Sequence, residues 1–126
     1  MLSHVMVGAN DLDASRKFYD AVLGTLGIPA GVMHEKGRLF YLSPTGVFAV
    51  TKPIDGAPAT AANGGTVGFN VADPATVDAW HAAGVANGGR TCEDPPGVRE
   101  TGLGKMYLAY LRDPSGNKRC AVHRMG

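Results

Sequence analysis

The side chains able to do chemistry in this 126-residue chain are few and widely spaced. Four histidines (His4, His34, His81, His123) and two cysteines (Cys92, Cys120) are the nitrogen and sulfur donors available. A cysteine can bind a soft metal as its thiolate, but an unpaired one more often packs as a small apolar residue. Glu35, Glu93 and Glu100 are general bases in name only, because nothing in the sequence supplies the burial or partner that would raise a carboxylate's pKa. Arg99 carries the planar fork that can grip a carboxylate or phosphate with two parallel hydrogen bonds. Tyr107 has a phenol on a strand, where an aromatic usually packs. Neither a Gly-x-Ser-x-Gly elbow nor a phosphate loop occurs, so serine hydrolysis and nucleotide binding have no motif to support them.

Composition narrows the field further. Twelve basic residues oppose eleven acidic ones, for a formal charge of +1. No Lys/Arg-rich run appears, which argues against nucleic acid and anionic membranes as partners. No apolar run approaches the roughly 20 residues that span a bilayer, and the two cysteines with no leader sequence point to a reducing cytoplasm. A 44% hydrophobic content is ordinary for a soluble domain of this length.

The elements that must position these residues fall into a regular order. Leu2 to Ala9 reads as a strand ending at Asn10-Asp11, and Asp11 or Asp13 then caps a helix to about Thr25 with Phe18, Val22, Leu23 and Leu26 on one stripe. Residues 28–34, 38–42 and 47–52 read as three short strands separated by Glu35-Lys36-Gly37 and Ser43-Pro44-Thr45-Gly46. Residues 53–65 lack large apolar side chains, apart from Ile54, and read as a linker. The order then restarts, with a strand at 66–71, Asp73-Pro74 as a helix cap, a helix over 75–86, and strands at 90–93, 105–112 and 118–124. The stretch from Pro95 to Lys105 reads as a glycine-rich loop that could act as a lid.

The two halves superimpose in sequence at an offset of 62 residues. Asp11 meets Asp73, Phe18 meets Trp80, Tyr19 meets His81 and Gly27 meets Gly89. At an offset of 70, Ser43-Pro44-Thr45-Gly46 meets Asp113-Pro114-Ser115-Gly116. Such repetition marks two copies of one supersecondary unit, residues 1–52 and 64–126 around a linker at 53–63. Each copy of about 60 residues would be marginal alone, so the two are expected to pack together.

In their order and spacing these motifs resemble the glyoxalase/bleomycin-resistance/extradiol-dioxygenase (vicinal oxygen chelate) superfamily. The likeness lies in His4-Val5 with Asn10-Asp11-Leu12 and Phe18-Tyr19, in Val77 to Ala83 with Gly88-Gly89, and in the Arg112-Asp113-Pro114-Ser115-Gly116-Asn117 hairpin. It implies an α+β fold of two βαβββ modules whose mixed sheets form an open, curled, barrel-like cleft. It also implies binding of a small organic molecule there, with a lyase or isomerase activity, and a homodimer. Arg99 and Tyr107 match positions where related sequences carry similar residues.

Enzymes of that superfamily hold one divalent metal with His, Gln or Glu from four equivalent positions. Here the resemblance assigns those positions to His4, to Ala49 or Val50, to Thr66 and to Cys120. Only His4 matches the usual ligand type. Cys120 would suit a softer metal, and two ligands fall short of the customary three or four. A divalent cofactor is therefore disfavoured, and His4, Thr66, Arg99, Tyr107 and Cys120 are expected to line a ligand cleft without it. Two other readings stand beside this one. One is a non-catalytic protein that sequesters a drug or metabolite. The other is a metal-dependent glyoxalase or dioxygenase whose ligand set is completed across a dimer.

Overall fold

The computed structural model describes residues 1–126. Its first half runs β1 (His4–Gly8), α1 (Leu12–Gly24), β2 (Val32–His34), β3 (Arg38–Ser43) and β4 (Gly46–Thr51). The second half runs β5 (Thr66–Asn70), α2 (Pro74–Ala86), β6 (Arg90–Thr91), β7 (Gly97–Thr101), β8 (Gly104–Arg112) and β9 (Lys118–Arg124). The helices are offset by the same 62 residues as the sequence repeat. Asp11 and Asp73 both cap their helix by accepting a backbone N–H three residues on, from Ala14 and Thr76.

Each half makes its own mixed sheet, in the orders β1-β4-β3-β2 and β5-β9-β8-β6, with β7 also paired to β8. In both, the first strand lies parallel to the last, and the remaining pairings are antiparallel. The α+β architecture of two repeated units is thus the one the repeat implies, with β7 an additional strand in the second βαβββ unit. No helix is long and apolar enough to cross a membrane.

Three expectations need correction. Residues 28–31 are not strand: the N–H of Ile28 still bonds to Leu23 of the helix, Pro29 has no N–H, and Gly31 is tied back to Asp20. Residues 97–101 are not a loose lid, because β7 pairs with β8 over five rungs, from Gly97↔Leu108 to Thr101↔Gly104. The left-handed residue that ends the second helix is Gly88 (φ 93°), one position before the glycine matched to Gly27 (φ 78°).

A single core serves both halves. Phe18, Tyr19, Val22 and Leu23 of α1 pack with Val77 and Trp80 of α2 and with Leu39, Tyr41, Phe48, Val50, Ala109, Leu111 and Ala121 from the two sheets. Phe48 of one half meets Phe69 of the other edge to face at 5.3 Å. The helices come close because Gly84 and Gly89 present no side chain to Phe18.

Candidate functional site

Strand alternation sends every second side chain away from that core. On the first sheet Val5, Tyr41 and Phe48 face the helices, so His4, Met6, Phe40, Leu42 and Ala49 face outward. On the second sheet the outward residues form rungs: Thr66 beside Lys118 beside Arg112, Gly68 beside Cys120 beside Tyr110, and Asn70 beside Val122 beside Leu108. Arg99 stands next to Met106 on the following rung. On these outward faces Val32 and Leu42 are 54% exposed and Met6 40%, whereas Ala49, Leu108 and Cys120 are buried.

The rungs decide where the four metal-type positions fall. Met6 pairs with Ala49 and its repeat partner Gly68 pairs with Cys120, so Ala49, not Val50, is the equivalent of Cys120. His4 and Ala49 therefore lie on one outward face, Thr66 and Cys120 on the other. The His4 Nδ1 is 2.6 Å from the Ser3 hydroxyl. Burial pushes the Cys120 thiol up to about 11, which disfavours the thiolate a metal needs. One imidazole, one methyl group, one hydroxyl and one protonated thiol do not make a donor set for a divalent metal.

Of the five residues expected to line a cleft, Thr66, Arg99 and Cys120 share the outward face of the second sheet, and His4 sits on the first. Tyr107 is a correction. It pairs with His123 on the helix-facing side, and its hydroxyl donates to Asp78 of α2 at 2.8 Å, so it braces helix against sheet. Its strand parity, opposite to that of Cys120, is the signal that excludes it. Arg99 comes from a strand and not from a lid, and its Nη2 donates to the carbonyls of Asp94 and Pro95 at 3.1 and 2.9 Å.

The second sheet's open face also carries residues that sequence reasoning passed over. Tyr110 lies between Cys120 and the segment after β6, with the Lys118 ammonium 4.8 Å from its ring centroid. Lys118 is in turn paired with Glu93, whose hydrogen bond raises the lysine's pKa. Burial likewise raises the Tyr110 phenol. Parity with Cys120 would have found Tyr110 and Lys118, but the contact with Glu93 joins residues 25 positions apart.

Between the halves runs a crevice of about 440 Å³, within the range of small-molecule pockets. Ser3, His4 and Val5 line it with Leu26 to Pro29 and the β3–β4 turn on one side, and Val67 to Asn70 of β5 on the other. Among the five expected residues it reaches His4 alone.

Paired βαβββ units with a shared helical core define the glyoxalase-like class of fold. The model of the Glyoxalase/Bleomycin resistance protein/Dioxygenase superfamily matches residues 1–120, and the chain belongs to that family. A glyoxalase/bleomycin resistance protein from Albidiferax ferrireducens T118 is 63% identical over 98% of both chains, with a TM-score of 0.95. A glyoxalase-related enzyme from Fulvimarina pelagi is 22% identical over 98% of this chain and 88% of its own, with a TM-score of 0.75. A lactoylglutathione lyase from Agrobacterium tumefaciens is 24% identical over 98% and 92%, with a TM-score of 0.67. The latter two share the fold alone. No curated protein matches the chain.

Proposed function

We propose that this chain binds a small organic molecule on the outward faces of its sheets, with a second copy of the chain closing the pocket. The observation that carries the proposal is the gathering of Thr66, Gly68, Arg99, Tyr110, Lys118 and Cys120 on one outward, partly apolar surface. A surface that combines a phenol ring, a packed thiol and a few polar groups has the composition of a ligand site. Exposed Met6, Val32 and Leu42 on the first sheet supply the apolar area that a dimer would cover. Both cysteines are free, in keeping with a reducing compartment such as the cytoplasm.

Capture without turnover is the reading that the donor set favours, because the four positions offer no divalent site and Glu93 is occupied by Lys118. A thermal-shift screen of small organic molecules tests it. One site saturated at 100 times its dissociation constant should stabilise the protein by about 2.7 kcal/mol. Stoichiometric, unchanged ligand recovered from the complex supports sequestration; conversion of the hit to an isomer or cleavage product would make the protein a lyase or isomerase instead. Stoichiometric metal in the purified protein, lost on His4→Ala, would overturn the metal-free reading. A monomer at every concentration tested by analytical ultracentrifugation would remove the second copy from the site.

A further inference from the structure

Charge is segregated in this protein although its total is near zero. Strand parity puts Arg38 on the open face of the first sheet, and Arg90, Arg99, Arg112, Lys118 and Arg124 on that of the second. No strand residue of either open face is Asp or Glu; Glu100 of β7 points to the other side. The carboxylate brought against these cations is that of Glu93, and Lys118 already holds it. Inside this basic frame lie the exposed Gly68 and the half-buried Tyr110 and Val122, a patch of small, aromatic and aliphatic groups with Cys120 and Leu108 buried among them.

Arg99 is held in a way that prepares it for a ligand. Its Nη2 spends its hydrogens on the carbonyls of Asp94 and Pro95, which turns the guanidinium back along β7, and Nη1 comes within 3.4 Å of where a Cβ on Gly97 would lie. Gly97 pairs with Leu108, two residues from Tyr110, so the fork is fixed at the margin of the aromatic patch. Its Nε and Nη1 have no protein acceptor. An arginine whose rotamers are already fixed loses less entropy when it binds an oxyanion. On the other side of the patch, Gly68 leaves the floor bare: a Cβ there would find nothing closer than 3.9 Å.

We propose that the ligand of this face is a flat aromatic anion, its ring laid over Tyr110 and Gly68 and its carboxylate held by Arg99. The proposal rests on the reading of this face as the binding surface and adds the chemical class of the occupant. A cationic ligand would meet four unneutralised arginines there, a repulsion that lowers affinity. Phosphorylated or sulfonated aromatics share the recognised chemistry, and competition among them would rank the headgroups.

The test uses the full chain and three naphthalene probes of one shape: 2-naphthoate, 2-naphthamide and 2-naphthylmethylammonium. Binding is followed by calorimetry and by amide chemical shifts. The anion should bind about tenfold or more tightly than the neutral amide, the ammonium more weakly than either, and added salt should narrow the gap. Shifts should concentrate at Gly68, Tyr110 and Cys120. Arg99→Gln should abolish the preference for the carboxylate while leaving naphthamide binding in place, and Arg99→Lys should restore part of it. An unchanged melting temperature shows each variant folded. Equal binding of amide and anion, an anion site elsewhere, or an unaltered preference in Arg99→Gln would each overturn the proposal, while the small-molecule reading would survive. Failure of naphthoate to bind would also overturn it, and the broader thermal-shift screen then decides the general reading separately.

Discussion

Tyr19, Asp113 and Arg119 are the residues on which the junction of the two halves turns. The buried Asp113 carboxylate accepts from the Tyr19 hydroxyl at 2.5 Å, from the backbone N–H of Ser115 and Asn117, and from the Asn117 side chain. Arg119, 2% exposed, donates its Nε–H to the same Tyr19 oxygen and lies 5.5 Å from the Phe48 ring. Asn117 also donates to the Gly8 carbonyl of β1. Asp113→Ala leaves these donors without their acceptor and the buried Arg119 guanidinium without its counter-charge 3.9 Å away, so about 3–5 kcal/mol of stability should be lost in urea unfolding. Tyr19→Phe, which keeps the ring packing, should cost about 1–3 kcal/mol. Asp113-Pro114-Ser115-Gly116-Asn117 was legible in the sequence as a turn, because its chemistry is local. Its partner was not, since nothing in a helical stripe marks Tyr19 as bonded to a residue 94 positions away.

The same scale sets the alkaline limit of the fold. Burial raises the Cys120 thiol from its ordinary 9.0 to about 11, and burial raises the phenols of Tyr19 and Tyr41 above theirs. A raised folded-state value means that the native form holds a proton the unfolded chain releases. The stabilisation is complete below the unfolded value and is lost as pH climbs through the folded one. Stability should therefore fall from about pH 9 upward, first through Cys120 and then, above about pH 10, through the tyrosines. Cys120→Ala should flatten the loss between pH 9 and 11 when urea midpoints are compared across pH.

At the scale of elements, helix packing is governed by a residue the periodicity makes unremarkable. Gly84 sits in the last turn of α2, where alanine would gain up to about 1 kcal/mol of intrinsic propensity. A Cβ there, however, would stand 2.2 Å from Leu111 Cδ1, 3.1 Å from Val22 and 3.2 Å from Phe18. Forcing a methyl into a filled contact costs about 1–3 kcal/mol, so the steric term should win and Gly84→Ala should lower the urea midpoint. Caps, helix lengths and most strand positions were readable because Asp-x-x-x caps, apolar stripes and glycine stops act within a few residues. β7 was not, because Val98 is the one large apolar side chain in Gly97-Val98-Arg99-Glu100-Thr101 and no apolar alternation marks it; pairing with β8 makes it a strand. Thr66, Arg99 and Cys120 share one face through strand parity, whereas Tyr107, paired with His123, falls on the other and Tyr110, paired with Cys120, takes the place expected of Tyr107.

For the molecule as a whole, the repeat visible in the sequence has an energetic consequence. Each half is a unit of about 60 residues, a size that buries only about 60% of its unfolded surface and is marginal alone. The structure shows where the shortfall is made up. α1 packs on α2, Phe48 on Phe69, and Arg119 on both Tyr19 and Phe48, so each half's core is completed by side chains of the other. The connecting residues 53–65 add little of this, apart from the exchange of hydrogen bonds between Asn10 and Ala59. Cutting the chain within 61–63 should therefore preserve most of the energy of the fold while removing the advantage of connection. Residues 1–62 and 63–126, made separately, should each show weak, non-cooperative unfolding by circular dichroism. Mixed at equal concentrations, they should regain a single cooperative transition whose midpoint rises with concentration, because association is now bimolecular. Two independently cooperative fragments would mean that each sheet and helix forms a sufficient core by itself, and the shared core would then join the halves without being required to fold them.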